Sequence, residues 1–438
     1  MSVATEERLQ LSSAARMAAL WRHQTTRNTS WMLASNGTRF ALQSVYFVLV
    51  ARTLGAAGFG QFAAVAALVG IVLPFATLGS CMLIVRDVAR DRSCLAPALG
   101  GALGAIIVFG PLLTVMVCAV AALVLPAAVN LGLVVTIALA DLVFFNIVST
   151  AQSAYIAVAR VDRAAFMPIF LSVARCCAAI AFVYPSSSHT VARWGELYLA
   201  ATAIAAGFAL VAVTRSLGRP QLSVRRPLRN ARQGALFSLS LLTATVYGDI
   251  DKAMLARLAS LDAAGVYTAA YRVVSFAAMP VLALQSATYP EFFVRGQRGL
   301  ATTLAYSLRL MRFTLAYAVV AVVGLLILAP IATLLLGPGF AMTMPVIRLL
   351  AVMLVAQAAS LLLANALTGA DRQGTRTLIQ IIVAIANVGL NLWLIPLYGT
   401  EGAIATTVIS EFGLLFGLAL VIGLLQRDTN IDEATELA

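Results

Sequence analysis

Polar side chains recur along one face of the first long apolar stretch of the chain. Asn36, Arg39, Gln43 and Tyr46 fall at positions i, i+3, i+7 and i+10, which lie on one side of an α-helix. An arginine in apolar surroundings needs water or an anion, and its planar guanidinium offers paired donors that match a phosphate. This face therefore predicts a surface that binds an anion such as a pyrophosphate. The alternative is that Arg39, which lies only about eight residues into the stretch, extends its charge to water at the nearer end.

A second group of polar residues lies just past the middle of the chain. An apolar stretch over 235–257 carries charged and hydroxyl groups on two neighbouring lines, and the next stretch opens with tyrosines and an arginine. We expect these residues to line a cavity, although a local ion pair near a helix end is equally compatible with Asp249, Asp251 and Lys252. The predicted binding residues of this group are Tyr247, Asp251, Lys252, Tyr267, Tyr271 and Arg272.

Asp141 and Glu411 are single acids within long apolar stretches. Protonation removes the cost of burying a carboxylate, so such a group can bias a protein towards one of two conformations. We interpret both residues as candidates for coupling to a proton or sodium gradient. The alternative is that they are hydrogen-bonded interior groups.

Signatures of enzymes and of bound cofactors are missing from the sequence. It has no G-x-x-x-x-G-K-[ST] loop, no G-x-S-x-G, no H-E-x-x-H and no CxxC pair, and it contains only 2 histidines and 5 cysteines. We therefore predict a protein that is not an enzyme and that has neither a cofactor nor a metal site. Energy for directional movement must come from an ion gradient or from consumption of the product.

The elements that carry these residues are stretches of membrane-spanning length. With 61% hydrophobic and 11% charged residues and a mean hydropathy of +0.94, the chain has too little polar surface for a water-soluble protein. Roughly 20 apolar residues span a bilayer as a helix. Twelve such stretches are predicted at 31–53, 62–84, 98–124, 131–156, 164–184, 196–216, 235–257, 266–289, 313–336, 344–367, 377–397 and 400–424.

Arginines mark one side of this predicted membrane bundle. Twenty-two lie in the two tails and in alternate connections, whereas the other side has only Arg52, Arg193, Arg257 and Arg348. The positive-inside rule places the arginine-rich side and both termini in the cytoplasm, as expected for a multi-pass protein of a bacterial inner membrane. The net charge of +12 therefore reflects orientation, with anionic membrane lipids as secondary partners and no nucleic acid.

The chain divides into two halves of six predicted spans each. The segment beginning at Ala51 matches the one beginning at Ala256 at an offset of 205, which pairs Arg52 with Arg257 and Gly60 with Gly265. Halves with an even number of spans enter the membrane in the same orientation, so a pseudo-twofold axis should run along the membrane normal. The predicted divisions are an N-terminal tail 1–30, bundles 31–217 and 235–424, a basic linker 218–234 and a tail 425–438.

Three strings carry a resemblance to a known family. They are ARTLGAAGFGQFAAVAAL from Ala51, GDIDKAMLARLASLDAAGVYTAAYRV from Gly248 and NVGLNLWLIPLYGTEGAIATTVISE from Asn387. The chain resembles, over nearly its whole length, the Wzx-type polysaccharide flippases of the multidrug/oligosaccharidyl-lipid/polysaccharide exporter superfamily. The resemblance implies an all-α membrane fold of two six-helix bundles around a central cavity that opens alternately to each side.

The resemblance also implies a cargo. This would be a polyprenyl-diphosphate-linked oligosaccharide, moved to the periplasmic leaflet for O-antigen, capsule or exopolysaccharide assembly, with polymerase and chain-length proteins as pathway partners. Two further hypotheses stay open: a cation-coupled multidrug exporter of the same superfamily, and a membrane polysaccharide polymerase or ligase. Exposed arginines in the cavity would favour the anionic cargo, and short outward connections argue against the enzyme.

Overall fold

The computed structural model describes residues 3–184, 189–225, 228 and 231–436. Within them, side chains are described except for those of 3–30, 32–33, 89, 231–233, 235–237, 240–241, 243–244, 246–247, 286, 290 and 428–436. Throughout these ranges the regular elements are helical and none is a strand, so the predicted all-α fold class is confirmed.

The described ranges contain fourteen α-helices, two of which are joined by a π-helical segment, Leu139–Phe145. In chain order the helices are α1 Val3–Val72, α2 Ser80–Arg90, α3 Leu95–Val124, α4 Leu131–Ala138, α5 Asn146–Ala157, α6 Val161–Val183, α7 Val191–Leu217, α8 Ala231–Leu258, α9 Leu261–Gly296, α10 Leu300–Leu336, α11 Thr343–Ala351, α12 Met353–Gly369, α13 Gln373–Tyr398 and α14 Thr400–Glu436.

Helix α1 contains two passes that meet at Gly55. This glycine has φ 69°, a left-handed conformation that breaks the helix. Phe47 and Phe59 lie on either side of it with ring centroids 5.3 Å apart, whereas twelve residues of straight helix would separate them by about 18 Å. The chain therefore reverses at Gly55, giving a first arm at residues 34–54 and a second arm at 56–72. The predicted start of the second span at residue 62 was wrong, because this turn needs no loop.

Crossing segments amount to twelve once the bends are taken into account. Within the described residues nine helical segments are long and apolar enough to cross a membrane, and the pair Pro338–Ala351 and Met353–Gly369, bent by 41°, adds a tenth. The segment Ala34–Val88 reverses at Gly55 and so contributes two passes. Helix α8 is not among these apolar segments, but its 28 residues are long enough to cross, and counting it gives twelve within the described residues. The span predicted at 344–367 as one helix is therefore a bent pair, α11 and α12.

One face of α10 shows which surface contacts lipid. Val320, Ile327 and Leu334 follow at intervals of seven residues and are 69%, 69% and 76% exposed. Large apolar side chains on one exposed face are stable in hydrocarbon and unfavourable in water. This face of α10 therefore lies against the lipid tails.

The two halves contact each other through glycines at the end where α1 reverses and α9 begins. We call this end the arginine-poor end. A Cβ atom on Gly60 would lie 1.8 Å from the backbone oxygen of Leu261, and one on Gly265 would lie 2.0 Å from that of Ala56. Leu261 and Gly265 follow Ala56 and Gly60 by the same 205 positions found in the sequence repeat. The contact is thus symmetric, as a pseudo-twofold axis requires.

Candidate functional site

A cleft separates the first arm of α1 from α9, one helix from each half. A cavity of about 460 Å³ lies in it, and Asn36 and Arg39 of the polar face of α1 line this space, whereas Tyr46 of the same face is buried and stacks on Trp194. Phe40 and Phe276 meet edge to face across the cleft with ring centroids 6.1 Å apart. The residues that line the cavity are Asn36, Gly37, Arg39 and Phe40 from α1 and Met279, Pro280, Leu282 and Ala283 from α9.

Arg39 is half-buried in the lining of this cavity. Its Nε atom is buried and has no hydrogen-bond partner among the described residues. Gln43, one turn further along the same face, is also half-buried. Because Arg39 as a whole stays partly exposed beside the cavity, the exposed part of its guanidinium group is available to donate to an anion that enters it.

Arg272 is the corresponding cation of the second half. It is half-buried on α9, its guanidinium carbon lies 5.8 Å from the centre of the Phe47 ring, and no carboxylate of the described residues forms an ion pair with it. Counted from the arginine-poor end at 1.5 Å per residue, Arg272 lies about 16 Å deep and Arg39 about 22 Å deep. The two arginines therefore lie at different depths along the cleft, with Arg39 nearer to the arginine-rich end.

An apolar cavity of about 330 Å³ lies next to these arginines, between α1, α9 and α10. Phe47 and Phe276 belong to its wall and also border the cleft. Leu328 and Ile331 of α10 line its other side and are 54% and 50% exposed, so the cavity reaches the lipid-facing surface. The apolar cavity therefore lies between the aromatic side chains at the cleft and the lipid-facing surface of α10.

Several of the residues predicted to line the cavity are packed inside the second half instead. Tyr267 is fully buried, and its hydroxyl donates to the carboxylate of Asp251 and lies 2.8 Å from Oγ1 of Thr407 on α14. Asp251 also accepts from the backbone N–H of Lys252 at 2.8 Å. The prediction that Asp251 and Tyr267 face the cleft is corrected here, because each satisfies the other within the bundle.

Lys252, the only lysine of the chain, lies beside Asp251 and Tyr267. We call Asp251, Lys252, Tyr267 and Tyr271 the tyrosine cluster. Its ammonium group donates to Asp249 and to the backbone oxygen of Gly248 at 3.2 Å. The same group lies 4.6 Å from the centre of the Tyr271 ring, which stacks on Tyr267. Lys252 is 8% exposed, and within the described residues its ammonium group contacts groups of its own half. It therefore lies away from the cleft.

The two remaining predicted positions are described to different extents. Glu411 is 3% exposed on α14, one turn beyond Thr407, and therefore lies on the helix face that reaches the tyrosine cluster. The side chain of Tyr247 lies outside the described residues. Its place at the site stays a prediction.

Asp141 belongs to a polar network in the first half. Nη2 of Arg175 donates to its carboxylate at 2.7 Å, and the Tyr198 hydroxyl donates to its two oxygens at 3.1 and 3.2 Å. Nε of Arg175 donates to Oγ1 of Thr202 at 3.2 Å. The sequence pattern indicates a single acid at Asp141, whereas in the structure Asp141 forms an ion pair with Arg175. The signal that was missed is that Asp141 and Arg175 are opposite charges within the interior of one half, where a buried charge needs a partner.

Twelve helical segments in two symmetric halves, with a cleft between the halves that carries cations from both, define the fold of a membrane transporter. Solved structures share it. The chain superposes on an inward-facing multidrug resistance transporter of the MATE family and MOP superfamily with a TM-score of 0.71 and 18% identity, covering 89% of this chain and 96% of that one. It superposes on the lipid II flippase MurJ in an inward closed conformation with a TM-score of 0.71 and 11% identity, covering 90% and 87%.

A third similar structure is a MOP superfamily transporter from Pyrococcus furiosus, described as having a binding pocket of reverse polarity that suggests a different function. Its TM-score is 0.64 at 16% identity, with 91% of this chain and 96% of that chain covered. The model of the polysaccharide biosynthesis protein family matches residues 25–294, more than half of the 438 residues. The chain belongs to this family, and the predicted resemblance is confirmed. No curated protein sequence matches it significantly.

Proposed function

We propose that this protein is a flippase for lipid-linked oligosaccharides. It moves polyprenyl-diphosphate-linked sugar units across the membrane by alternating access. The observation that carries the proposal is the pair of arginines, Arg39 and Arg272, which come from opposite halves and form no ion pair within the described residues. Arg39 lines the cavity of the cleft, and Arg272 lies over Phe47 of α1 between the same two helices. Cations at membrane depth without acidic partners favour an anionic cargo.

A diphosphate suits this arrangement better than a single charge. The two guanidinium groups belong to helices of different halves and differ in depth by about 6 Å at 1.5 Å per residue. A diphosphate has two neighbouring phosphoryl groups, so each arginine can receive one in bidentate geometry. Binding would then draw the halves together around the cargo.

The apolar cavity beside Phe47 and Phe276 supports a lipid tail on the same cargo. It adjoins the cleft, reaches the lipid-facing surface of α10 and is lined almost wholly by apolar side chains. The first isoprene units could remain in it while the head group occupies the cleft. This cavity therefore offers a path for the lipid tail beside the head group.

Orientation and pathway follow from the arginine asymmetry and the family. We place the arginine-rich end in the cytoplasm of a bacterial inner membrane, with both termini on that side. The cargo then moves from the cytoplasmic to the periplasmic leaflet, for assembly of O-antigen, capsule or exopolysaccharide. Polymerase and chain-length proteins of the pathway are its expected partners.

The alternative is a cation-coupled multidrug exporter, which the fold shared with MATE transporters favours. An apolar organic cation would need acids or aromatic faces in the cleft, whereas the described lining of its cavity includes an arginine and no acid. A polymerase or ligase would need a large outward segment. Helices α8 and α9 are joined by two residues and α13 and α14 by one, so these connections hold no such segment.

Reconstitution of the purified protein into liposomes tests the proposal. Liposomes with the protein should move a fluorescent polyprenyl-diphosphate-linked oligosaccharide between leaflets much faster than empty liposomes, measured as the fraction accessible to an external quencher. The monophosphate-linked analogue should move more slowly, because one arginine loses its partner. Gradient-driven ethidium transport without movement of the oligosaccharide would establish the exporter instead.

We further propose that any coupling to an ion gradient uses Glu411 rather than Asp141. The carboxylate of Asp141 accepts from Arg175 and Tyr198, which hold it in a fixed position. Glu411→Gln should therefore remove the effect of an imposed proton or sodium gradient on flipping in liposomes. Asp141→Asn should keep that effect while lowering the melting temperature, because it weakens a buried ion pair. A wild-type gradient response from Glu411→Gln would refute this assignment.

A further inference from the structure

A large pocket lies apart from the cleft, at the arginine-rich end of the first half. It has a volume of about 760 Å³ and is enclosed by the part of α1 just before its first arm, the end of α5, the start of α6 and the end of α7. This basic pocket combines charged and aromatic residues from four chain segments. The residues that define it here are Trp31, Arg160, Arg163, Phe166, Phe208 and Arg215.

Three arginines from three elements surround the basic pocket. Arg160 precedes α6, Arg163 lies in its first turn and Arg215 lies in the last turn of α7. All three are exposed, and none forms an ion pair within the part of the chain that the structure describes. Asp162 also lines the pocket, so the lining carries a net charge of two. Such a surface attracts an anionic group.

The floor of the basic pocket is held by a fixed polar contact. The Tyr155 hydroxyl lies 2.9 Å from Oγ of Ser216, which joins α5 to α7, and Tyr155 is fully buried. The guanidinium carbon of Arg163 lies 6.0 Å from the centre of the Tyr155 ring. The arginines therefore surround a floor that is formed without a ligand.

One wall of the basic pocket is aromatic and exposed. Trp31, Phe166 and Phe208 are 50%, 46% and 38% exposed, and the rings of Phe166 and Phe208 lie 5.9 Å apart. Arginines at helix ends beside exposed aromatic rings are arranged as at a membrane surface, with charge towards water and rings towards the acyl chains. The pocket therefore has two chemical halves, which a ligand with a charged head and an apolar body would match.

We propose that the basic pocket binds the head group of an anionic phospholipid, with its phosphate among Arg160, Arg163 and Arg215 and an acyl chain against Trp31, Phe166 and Phe208. Basic pockets between helices at the cytoplasmic surface bind such head groups. The bound lipid would link the part of α1 around Trp31 to α6 and α7. The site is separate from the cleft, so it does not depend on the proposed cargo.

Quenching of Trp31 by brominated lipid tests this site in the full-length protein. The protein is placed in phosphatidylcholine vesicles with increasing brominated phosphatidylglycerol, and the signal of Trp31→Phe is subtracted to isolate Trp31. Brominated phosphatidylglycerol should reach half-maximal quenching at a much lower mole fraction than brominated phosphatidylcholine. Equal quenching by the two lipids would overturn the proposal.

Matched charge variants separate the pocket from general surface charge. Each arginine near a membrane surface contributes about fivefold to the binding of an anionic lipid, so replacing Arg160, Arg163 and Arg215 together by Gln should raise the half-maximal fraction at least about tenfold. A control with Arg298→Gln, Arg309→Gln and Arg312→Gln removes three exposed arginines of the other half and should change it less than twofold. Equal effects of the two triple variants would refute the site. Arg215→Gln alone should give about fivefold and provides a second readout if the triple variant does not fold.

Competition identifies the source of the phosphate. Inorganic phosphate in excess should not displace brominated phosphatidylglycerol, because it lacks a chain for the aromatic wall. Unbrominated phosphatidylglycerol should displace it. Displacement by inorganic phosphate alone would show a free-anion site and overturn the lipid assignment. Displacement by polyprenyl diphosphate but not by phosphatidylglycerol would assign the pocket to the cargo and overturn it too.

Discussion

Arg272→Ala should lower the initial rate of oligosaccharide flipping in liposomes by about 100-fold, since losing one partner of a desolvated charge pair costs about 2–5 kcal/mol. Arg272 is half-buried on α9 and has no carboxylate partner within the described residues. Arg272→Lys should lose only about tenfold, because lysine keeps the charge and loses the bidentate geometry. The order wild type, lysine, alanine is specific to an arginine that binds the cargo.

Arg257→Ala is the matched control for Arg272. Arg257 is an exposed arginine of the same half, at the end of α8. Its replacement should leave flipping within about twofold of wild type, as is usual for exposed residues. Wild-type flipping by Arg272→Ala at an equal protein level in the liposomes would remove Arg272 from the site.

Gly60→Ala should abolish transport by preventing closure of the arginine-poor end. The added methyl group would lie 1.8 Å from the backbone oxygen of Leu261, far inside van der Waals contact, and the backbone on both sides cannot move aside without separating the halves. Gly265→Ala should have the same effect against Ala56, at 2.0 Å. Similar losses from both variants would follow from the symmetry of the contact.

Spin labels can measure the separation directly. Labels on cysteines placed at the exposed, repeat-related positions Arg52 and Arg257 should report a longer distance in Gly60→Ala than in the parent protein. Gly248→Ala is the control, because no atom lies within 4 Å of a Cβ added there. An unchanged distance together with normal transport in Gly60→Ala would show that the contact does not close this end.

The number and type of spans were predictable because a bilayer sets their length. What could not be predicted is how they bend. A single glycine within an apolar run has the same composition whether it lies in a helix or reverses the chain, and only the φ of 69° at Gly55 distinguishes the two. The bend between α11 and α12 likewise leaves the pattern of apolar residues continuous over 344–367.

The spacing of polar residues predicted which helix faces are polar, but it did not predict which helices pack against those faces. Asn36 and Arg39 of the polar face of α1 line a cavity in the cleft, and their role in binding stays a prediction. The polar faces of α8 and α9 meet each other and α14, which buries Asp251 and Tyr267 as a hydrogen-bonded pair. In a bundle, a helix face can look towards the other half or towards its own, and spacing along one helix is the same in both cases. The pairing of Asp141 with Arg175, 34 residues away, needs the packing of separate helices.

The glycine contact between the halves has a bearing on the origin of the chain. Gly60 faces Leu261 and Gly265 faces Ala56, and the partners in each half are related by a constant offset of 205. The two halves therefore contact each other through equivalent surfaces. A protein of half this length could make the same contact with a second copy of itself. The two halves are thus related as the subunits of a homodimer would be after gene duplication and fusion.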